Sequence, residues 1–249
     1  MLQKNWLLKE FDRERVVEIS KEFRVSPLTS IILYNRGIRS SEDIAEFLKC
    51  DLKSLHDPYL LKDMDKAVER IRKAKENGEK ITIYGDYDVD GITSIAILYK
   101  YLTSVGFEVD FYVPDRIQEG YGVNRGALDK IKANGTKVVI TVDTGITAVD
   151  ETDYAREIGM DIIVTDHHEC KSELPEAVAV VDPHRLDQPQ PASELAGVGV
   201  AFKLACAIGG DTASLLREYC DFLCLGTVAD VMPLTGENRT MVARGLKAL

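Results

Sequence analysis

Two hydrophobic patterns succeed one another along this chain. Up to about residue 75, apolar positions recur every three or four residues, the period of a helix buried on one face. Residues 16–23 form a charged, partly apolar stretch, and residues 28–34 a more apolar one. Ser26 and Pro27 before the second suit a helix N-cap and first helical position. Ser40, Ser41, Glu42 and Asp43 open another helix ahead of residues 44–48. Residues 64–77 predict an amphipathic helix stopped by Gly78. From Lys80 short β-branched and aromatic runs alternate with helical stretches. Strands are predicted at 81–84, 107–113, 138–142, 162–165 and 177–181. Helices are predicted at 93–105, 126–133, 148–158, 195–208 and 213–225. Residues 238–249 open a further helix with no stop signal, as expected of a fragment of a longer protein. Strands alternating with helices imply an α/β fold, a mostly parallel five-stranded sheet flanked by helices. Residues 1–75 form a helical N-terminal region in this reading, and residues 76–249 the domain that holds the sheet.

Composition narrows the class. The 249 residues are 45% hydrophobic and 29% charged, enough for a substantial core. No apolar run approaches the roughly 18 residues of a membrane span, and residues 1–10 lack a secretory signal pattern. The five cysteines (Cys50, Cys170, Cys206, Cys220, Cys224) are scattered and form no Cys-x-x-Cys pair. That argues against zinc knuckles and redox motifs and for a reducing, cytoplasmic setting. The net charge of −10 argues against a protein that simply coats nucleic acid, but not against a nuclease. A site for divalent cations needs clustered carboxylates, and the ions reverse the local field.

Four polar segments fall where chemistry is expected, at or near the carboxyl ends of strands. GDYDVDG (85–91) carries Asp86, Asp88 and Asp90 at alternate positions, which in an extended backbone face one way. The string also opens like a calcium-binding EF-hand loop, but its twelfth position is Ile97 instead of a bidentate Glu, and a strand precedes it. A solvated acidic turn is the plainer alternative. Asp143 directly follows the apolar run 138–142; taken alone it reads equally well as a helix cap. Asp166, His167 and His168 follow the run 162–165, and tandem histidines are unusual in a chain with only four. An aspartate beside a histidine can orient the ring through its second nitrogen. Asp230 follows an apolar helical stretch and, alone, reads as a helix-end residue. Oxygen and imidazole donors without a thiolate suit manganese or magnesium better than zinc or copper. Cys170 stands close by as a bystander. Two such ions about 3.5–4 Å apart can hold a hydroxide and a phosphoryl oxygen together.

In order along the chain, GDYDVDG, VDTGI (142–146), TDHHE (165–169) and LGTVADVMPL (225–234) resemble the four motifs of the DHH phosphoesterase superfamily. PDRIQEGYGVN (114–124), LAGVGVAFKLA (195–205) and HDPYLLKDMDKAVERI (56–71) resemble its RecJ-like single-strand DNA exonucleases. The resemblance covers roughly residues 50–249. It implies 5′ to 3′ hydrolysis of single-stranded DNA in repair and recombination, with two Mn2+ or Mg2+ ions. It also implies roles. Asp88 binds one metal and Asp90 the other, and Asp143 bridges them. His167 and Asp230 complete the second metal's shell, and His168 contacts the scissile phosphate. Asp86 and Asp166 support these ligands, and Arg116 binds phosphate near the DNA end. Proteins of this kind continue into a DHH-associated domain that helps clamp DNA, often followed by an oligonucleotide-binding fold. Neither is found in this sequence, so the chain is expected to keep the chemistry but grip DNA weakly. Two other readings stay open. One is a relative that cleaves short oligonucleotides, nucleotide phosphates or pyrophosphate. The other is a non-catalytic scaffold, against which every expected acid and histidine is present.

Overall fold

The structure, a computed structural model, describes residues 7, 9–117, 119–188 and 194–249. Most of the segment read for a signal pattern (1–10) lies outside these residues, as does Gln118 within the 114–124 string. The chain divides after Ser54 into two compact units.

The first unit holds helices α1 (Arg13–Phe23), α2 (Pro27–Asn35) and α3 (Ser41–Lys49). Ser26 and Ser40 cap the last two: each hydroxyl accepts a main-chain N–H, from Thr29 and Asp43, at 3.0 Å. Ile19, Leu33 and Ile44 form its core, with Phe23, Val25, Ile38 and Phe47 packed around them.

The second unit begins with α4 (Met64–Glu76). It continues through β1 (Lys80–Gly85), α5 (Val89–Ser104), β2 (Val109–Tyr112), α6 (Arg125–Ala133), β3 (Thr136–Val142), α7 (Val149–Glu157), β4 (Asp161–Thr165) and β5 (Ala179–Val181). Three helices close it: α8 (Gly197–Gly209), α9 (Thr212–Ala229) and α10 (Gly236–Ala248). All five expected strands form one sheet in the order β2-β1-β3-β4-β5, and every pairing is parallel. The sheet is therefore wholly parallel, covered on both faces, and its central strand β3 is buried without a break from Val138 to Val142. On one face, α6 and α7 cover a core of Tyr84, Val139, Ile162, Val164 and Val180 with Leu128, Ile131 and Ala155. On the other, α4, α5 and α8 lie against the strands, and α9 packs outside α5 and α8.

One helix departs from the division near residue 75. Helix α4 packs on β3, β5 and α8. Its buried stripe of Met64, Ala67, Val68, Ile71 and Ala74 needs a broad apolar surface, which the sheet supplies. No helix among the described residues is long and apolar enough to cross a membrane. All five cysteines are free.

Two helices are longer than their hydropathy predicts, both towards the site. Helix α5 starts at Val89, four residues before 93, and α9 reaches Ala229, four beyond 225. The connections also leave a crevice. The chain goes from β1 out to β2 and returns to β3 on the opposite side of β1. Loops leaving the carboxyl ends of β1 and β3 therefore diverge, which is where open α/β sheets of this strand order bind ligands.

Candidate metal centre

The four segments meet at that crevice. Asp86 follows β1 directly and is buried, 5% exposed. Asp88 is the N-cap of α5, its carboxylate accepting the Gly91 N–H at 2.9 Å. Asp90 already lies in the first helical turn and is 1% exposed. The alternate spacing does not act through an extended backbone, because the strand turns into a helix at Val89. As a result the three acids do not share one point. Asp86 and Asp88 join Asp143 in one group of potential ligands, and Asp90 joins His167 and Asp230 in another. Within each group the donor atoms lie within 4.8 Å of one another. Asp86, expected to stand behind the ligands, thus presents an oxygen beside them. The EF-hand reading fails on the same ground, since β1 stands where a helix would have to be.

Asp143 follows β3 in the left-handed backbone region (φ 57°), a conformation Asp tolerates better than most residues. It belongs to a third group as well, with His167 and His168, so it stands between the Asp86–Asp88 side and the His167 side. Asp230 is the C-cap of α9, a helix-end residue, and its carboxylate stands in the group with Asp90 and His167. His167 follows β4 with Asp166. Its Nε2 lies 3.0 Å from Asp143 Oδ1, 3.6 Å from Asp230 Oδ2 and 3.7 Å from Asp90 Oδ2. Despite these distances, Nε2 is buried and makes no hydrogen bond. A buried imidazole nitrogen among three carboxylates, aligned with none of them, fits a shared cation. Ligand atoms about 3 Å apart are what an octahedral shell with bonds of ~2.1 Å requires.

The electrostatics agree. Burial, followed by the charges of Asp90, Asp88 and Asp166, pushes the Asp143 carboxyl up to about 10. Burial likewise raises Asp90 to about 6, against the hydrogen bonds it accepts, and it also raises Asp86. Without cations Asp143 favours its protonated form at neutral pH. His168 is the opposite case. Its Nδ1 lies 2.7 Å from the buried carboxylate of Asp166, and that hydrogen bond raises the ring to about 9. Asp166 itself stays low despite its burial, held by His168 and by main-chain N–H groups of Ile146 and His167. His168 is therefore a fixed imidazolium, half-exposed, with Nε2 3.4 Å from the Tyr121 hydroxyl. Arg116 stands exposed on the loop after β2, its guanidinium 5.3 Å from the Tyr87 ring centroid. Cys170 packs against the apolar core, and burial pushes its thiol up to about 12, which makes it a poor ligand.

Three features of the centre were not singled out by the sequence pattern. The first turn of α8 has no side-chain cap of its own, and the main-chain N–H groups of Gly197 and Val198 donate to Asp90 at 2.6 and 2.8 Å. A Cβ at Gly197 would stand 2.7 Å from the Asp143 Cβ, and one at Gly226 2.7 Å from Asp90 Oδ1. These two glycines let α8 and α9 close on the acids. Gly197→Ala is expected to displace Asp143 and weaken Mn2+ binding about 10-fold or more, read by calorimetry. Second, Tyr121 reaches His168 from the 114–124 loop, which Tyr84 ties down by donating its hydroxyl to the Gly122 carbonyl at 2.8 Å. Third, Asp182 and His184 follow β5; Asp182 is fully buried, and burial pushes its carboxyl up to about 7. The rule that selected Asp143 and Asp166, a polar residue directly after an apolar strand, selects Asp182 as well.

Comparison with known proteins identifies the family. The chain is 43% identical over 244 residues to the single-stranded-DNA-specific exonuclease RecJ of Bacillus subtilis, covering 98% of this chain and 31% of that protein. It is 35% identical over 236 residues to the Escherichia coli protein of the same name, covering 90% of this chain and 40% of the relative. The chain thus spans about a third to two fifths of these relatives. Its fold superposes on a crystal structure of exonuclease RecJ bound to manganese with a TM-score of 0.69 at 35% identity, over 79% of this chain and 49% of that one. The Thermus thermophilus RecJ complex with Mn2+ gives 0.74 at 29% identity, over 96% and 34%. Residues 80–227, from β1 into α9, match the family described as DHH family, N-terminal domain. That stretch contains the strand ends that deliver Asp86 to His168, and the chain belongs to the DHH family.

Proposed function

We propose that this chain is the catalytic part of a metal-dependent nuclease that hydrolyses single-stranded DNA from its 5′ end, in DNA repair and recombination. The observation that carries the reading is the buried, unbonded Nε2 of His167 among the carboxylates of Asp90, Asp143 and Asp230. The names of the relatives, and the manganese and magnesium in their structures, support the substrate and the metal. In this reading Asp88, with Asp86, would hold one Mn2+ or Mg2+, and Asp90, His167 and Asp230 would hold a second, with Asp143 standing beside both groups. Bound divalent ions supply Lewis acidity, lowering the pKa of a water from about 15.7 towards neutrality and drawing charge from a phosphoryl oxygen.

The other roles belong to the chain itself. His168, kept protonated by Asp166, donates from Nε2 to an oxygen of the scissile phosphate and stabilises the charge that builds there. Arg116 binds a neighbouring phosphate. The α8 N–H groups hold Asp90 in one orientation. The net charge of −10 offers the DNA backbone little general attraction, so weak substrate binding is expected. Five free cysteines accord with a reducing, cytoplasmic setting.

Turnover with Mn2+ on four substrates tests the proposal: a 5′-phosphorylated single strand, the matching duplex, a dinucleotide and pyrophosphate. The expected result is stepwise release of nucleotides from the 5′ end of the single strand, with a high KM. A higher kcat/KM on pyrophosphate or on the dinucleotide would replace this reading with that of a small-substrate phosphoesterase.

A further inference from the structure

The polar turn after β5 has no part in the reading above. The β4–β5 ladder pairs Thr165 with Val181, and the Asp166 N–H adds one more rung by donating to the Val181 carbonyl at 3.1 Å. There β5 ends, because Asp182, Pro183 and His184 turn away. The Asp182 carboxylate fixes this turn by accepting the His184 N–H at 2.7 Å. Asp182 is fully buried, so the turn is locked from inside. The turn brings the His184 ring under the next main-chain group of β4's extension. His184 Nδ1 hydrogen-bonds the carbonyl oxygen of His167. A carbonyl only accepts, so Nδ1 carries the proton. A side chain thereby supplies the rung that the strand no longer provides, at the residue whose ring enters the metal cluster.

We infer that Asp182 and His184 are positioning residues: through the His184 Nδ1–H bond to the His167 carbonyl they fix the backbone that aims the His167 Nε2 at Asp90, Asp143 and Asp230. The inference rests on the metal-site reading. Without this bond the peptide after His167 would keep the longer bond from the His168 N–H to Asp166 Oδ1, at 3.3 Å, and the aim of the imidazole would loosen. Neither residue touches substrate or metal in this scheme, so the effect passes entirely through His167. Partners that orient a metal-binding histidine through such contacts typically contribute 10- to 100-fold to metal affinity or activity.

The test uses the 249-residue chain with His184→Ala, His184→Asn and His184→Asp. The Asn Nδ2 stands where the His Nδ1 does and still donates; Asp of similar shape cannot. Mn2+ affinity by calorimetry and steady-state nuclease kinetics are measured alongside thermal unfolding. Ala and Asp are expected to lower Mn2+ affinity and kcat by about 10- to 100-fold with KM for DNA unchanged, and Asn to restore both to within about threefold. Equal Mn2+ affinity in wild type and the Ala variant overturns the inference. So does equal loss in the Asn and Asp variants, which would assign His184 a packing role only. A wild-type chain that binds no Mn2+ overturns the metal-site reading and this inference together. Wild-type binding with an unaffected Ala variant overturns this inference alone.

Discussion

Replacing Asp143 by Asn is expected to lower Mn2+-dependent nuclease turnover by at least about 10³-fold, about 4 kcal/mol of transition-state stabilisation. The same substitution is expected to raise the melting temperature of the metal-free chain. Both effects follow from one geometry. Asp143 is 2% exposed and lies between the two groups of acids, so an anionic oxygen there serves both sides of the cluster. Asn keeps the shape and, like Asp, accepts the left-handed backbone at φ 57°. It removes the anionic form and adds an amide N–H donor. The cost of that charge without metal is large, because burial and three neighbouring acids push the Asp143 carboxyl up to about 10. A carboxyl raised in the folded state contributes stability below its unfolded pKa of about 3.9 and loses it as pH rises towards 10. The stabilisation by Asn should therefore be small near pH 4.5 and grow through pH 8. Thermal unfolding of both proteins in EDTA across this range reads the sign. A variant that is inactive but no more stable at pH 8 would place the cost elsewhere than in the buried charge.

The second expectation concerns the metal itself. Mn2+ at 100 times its dissociation constant should stabilise the chain by about 2.7 kcal/mol, a rise of roughly 5–10 °C in melting temperature. The rise should be larger at pH 8 than at pH 6. In the metal-free fold Asp143 and Asp90 are raised to about 10 and about 6, so each holds a proton over part or all of that window. A cation must displace these protons, and its affinity rises as they become easier to remove. Raising the pH weakens the metal-free fold and strengthens metal binding, so the gap widens from both sides. Calorimetric titration in buffers of different ionisation enthalpy should record proton release on binding. A pH-independent Mn2+ effect with no released protons would show that the acids are already ionised and that the cluster is not a compressed cation site.

Much of this centre was legible in the sequence because its logic is local. An apolar β-branched run followed at once by Asp, as at 142–143 and 165–166, states both the strand and the polar group at its end. The five strands carried the fold for the same reason: buried parallel strands leave little room for another pattern. Other parts are set by contacts distant in sequence. The alternate acids at 86, 88 and 90 divide between two groups because Asp88 caps α5 and the helix turns Asp90 away, a consequence of where the helix begins. Helix α4 looks like its N-terminal neighbours by period alone, and only the packing of Met64, Ile71 and Ala74 on the second unit assigns it to the sheet. Gly197 and Gly226 read as ordinary helix glycines until the acids beneath them are seen. His184 is one partly buried histidine, and its importance depends on a carbonyl 17 positions earlier in the chain.

The double employment of Asp90 bears on how substitution data for this domain are to be read. Its carboxylate is both a member of the cluster and, among the described residues, the side chain that caps the first turn of α8, a helix buried along almost its entire length. Neutralising it unseats a helix as well as a ligand, so an inactive Asp90 variant is weak evidence for metal binding. Asp230, part-exposed at the end of α9, carries no comparable structural duty in its side chain. In a saturation scan Asp230 is therefore the clean reporter of the cation. The contrast between positions 90 and 230 separates loss of architecture from loss of chemistry within a single experiment.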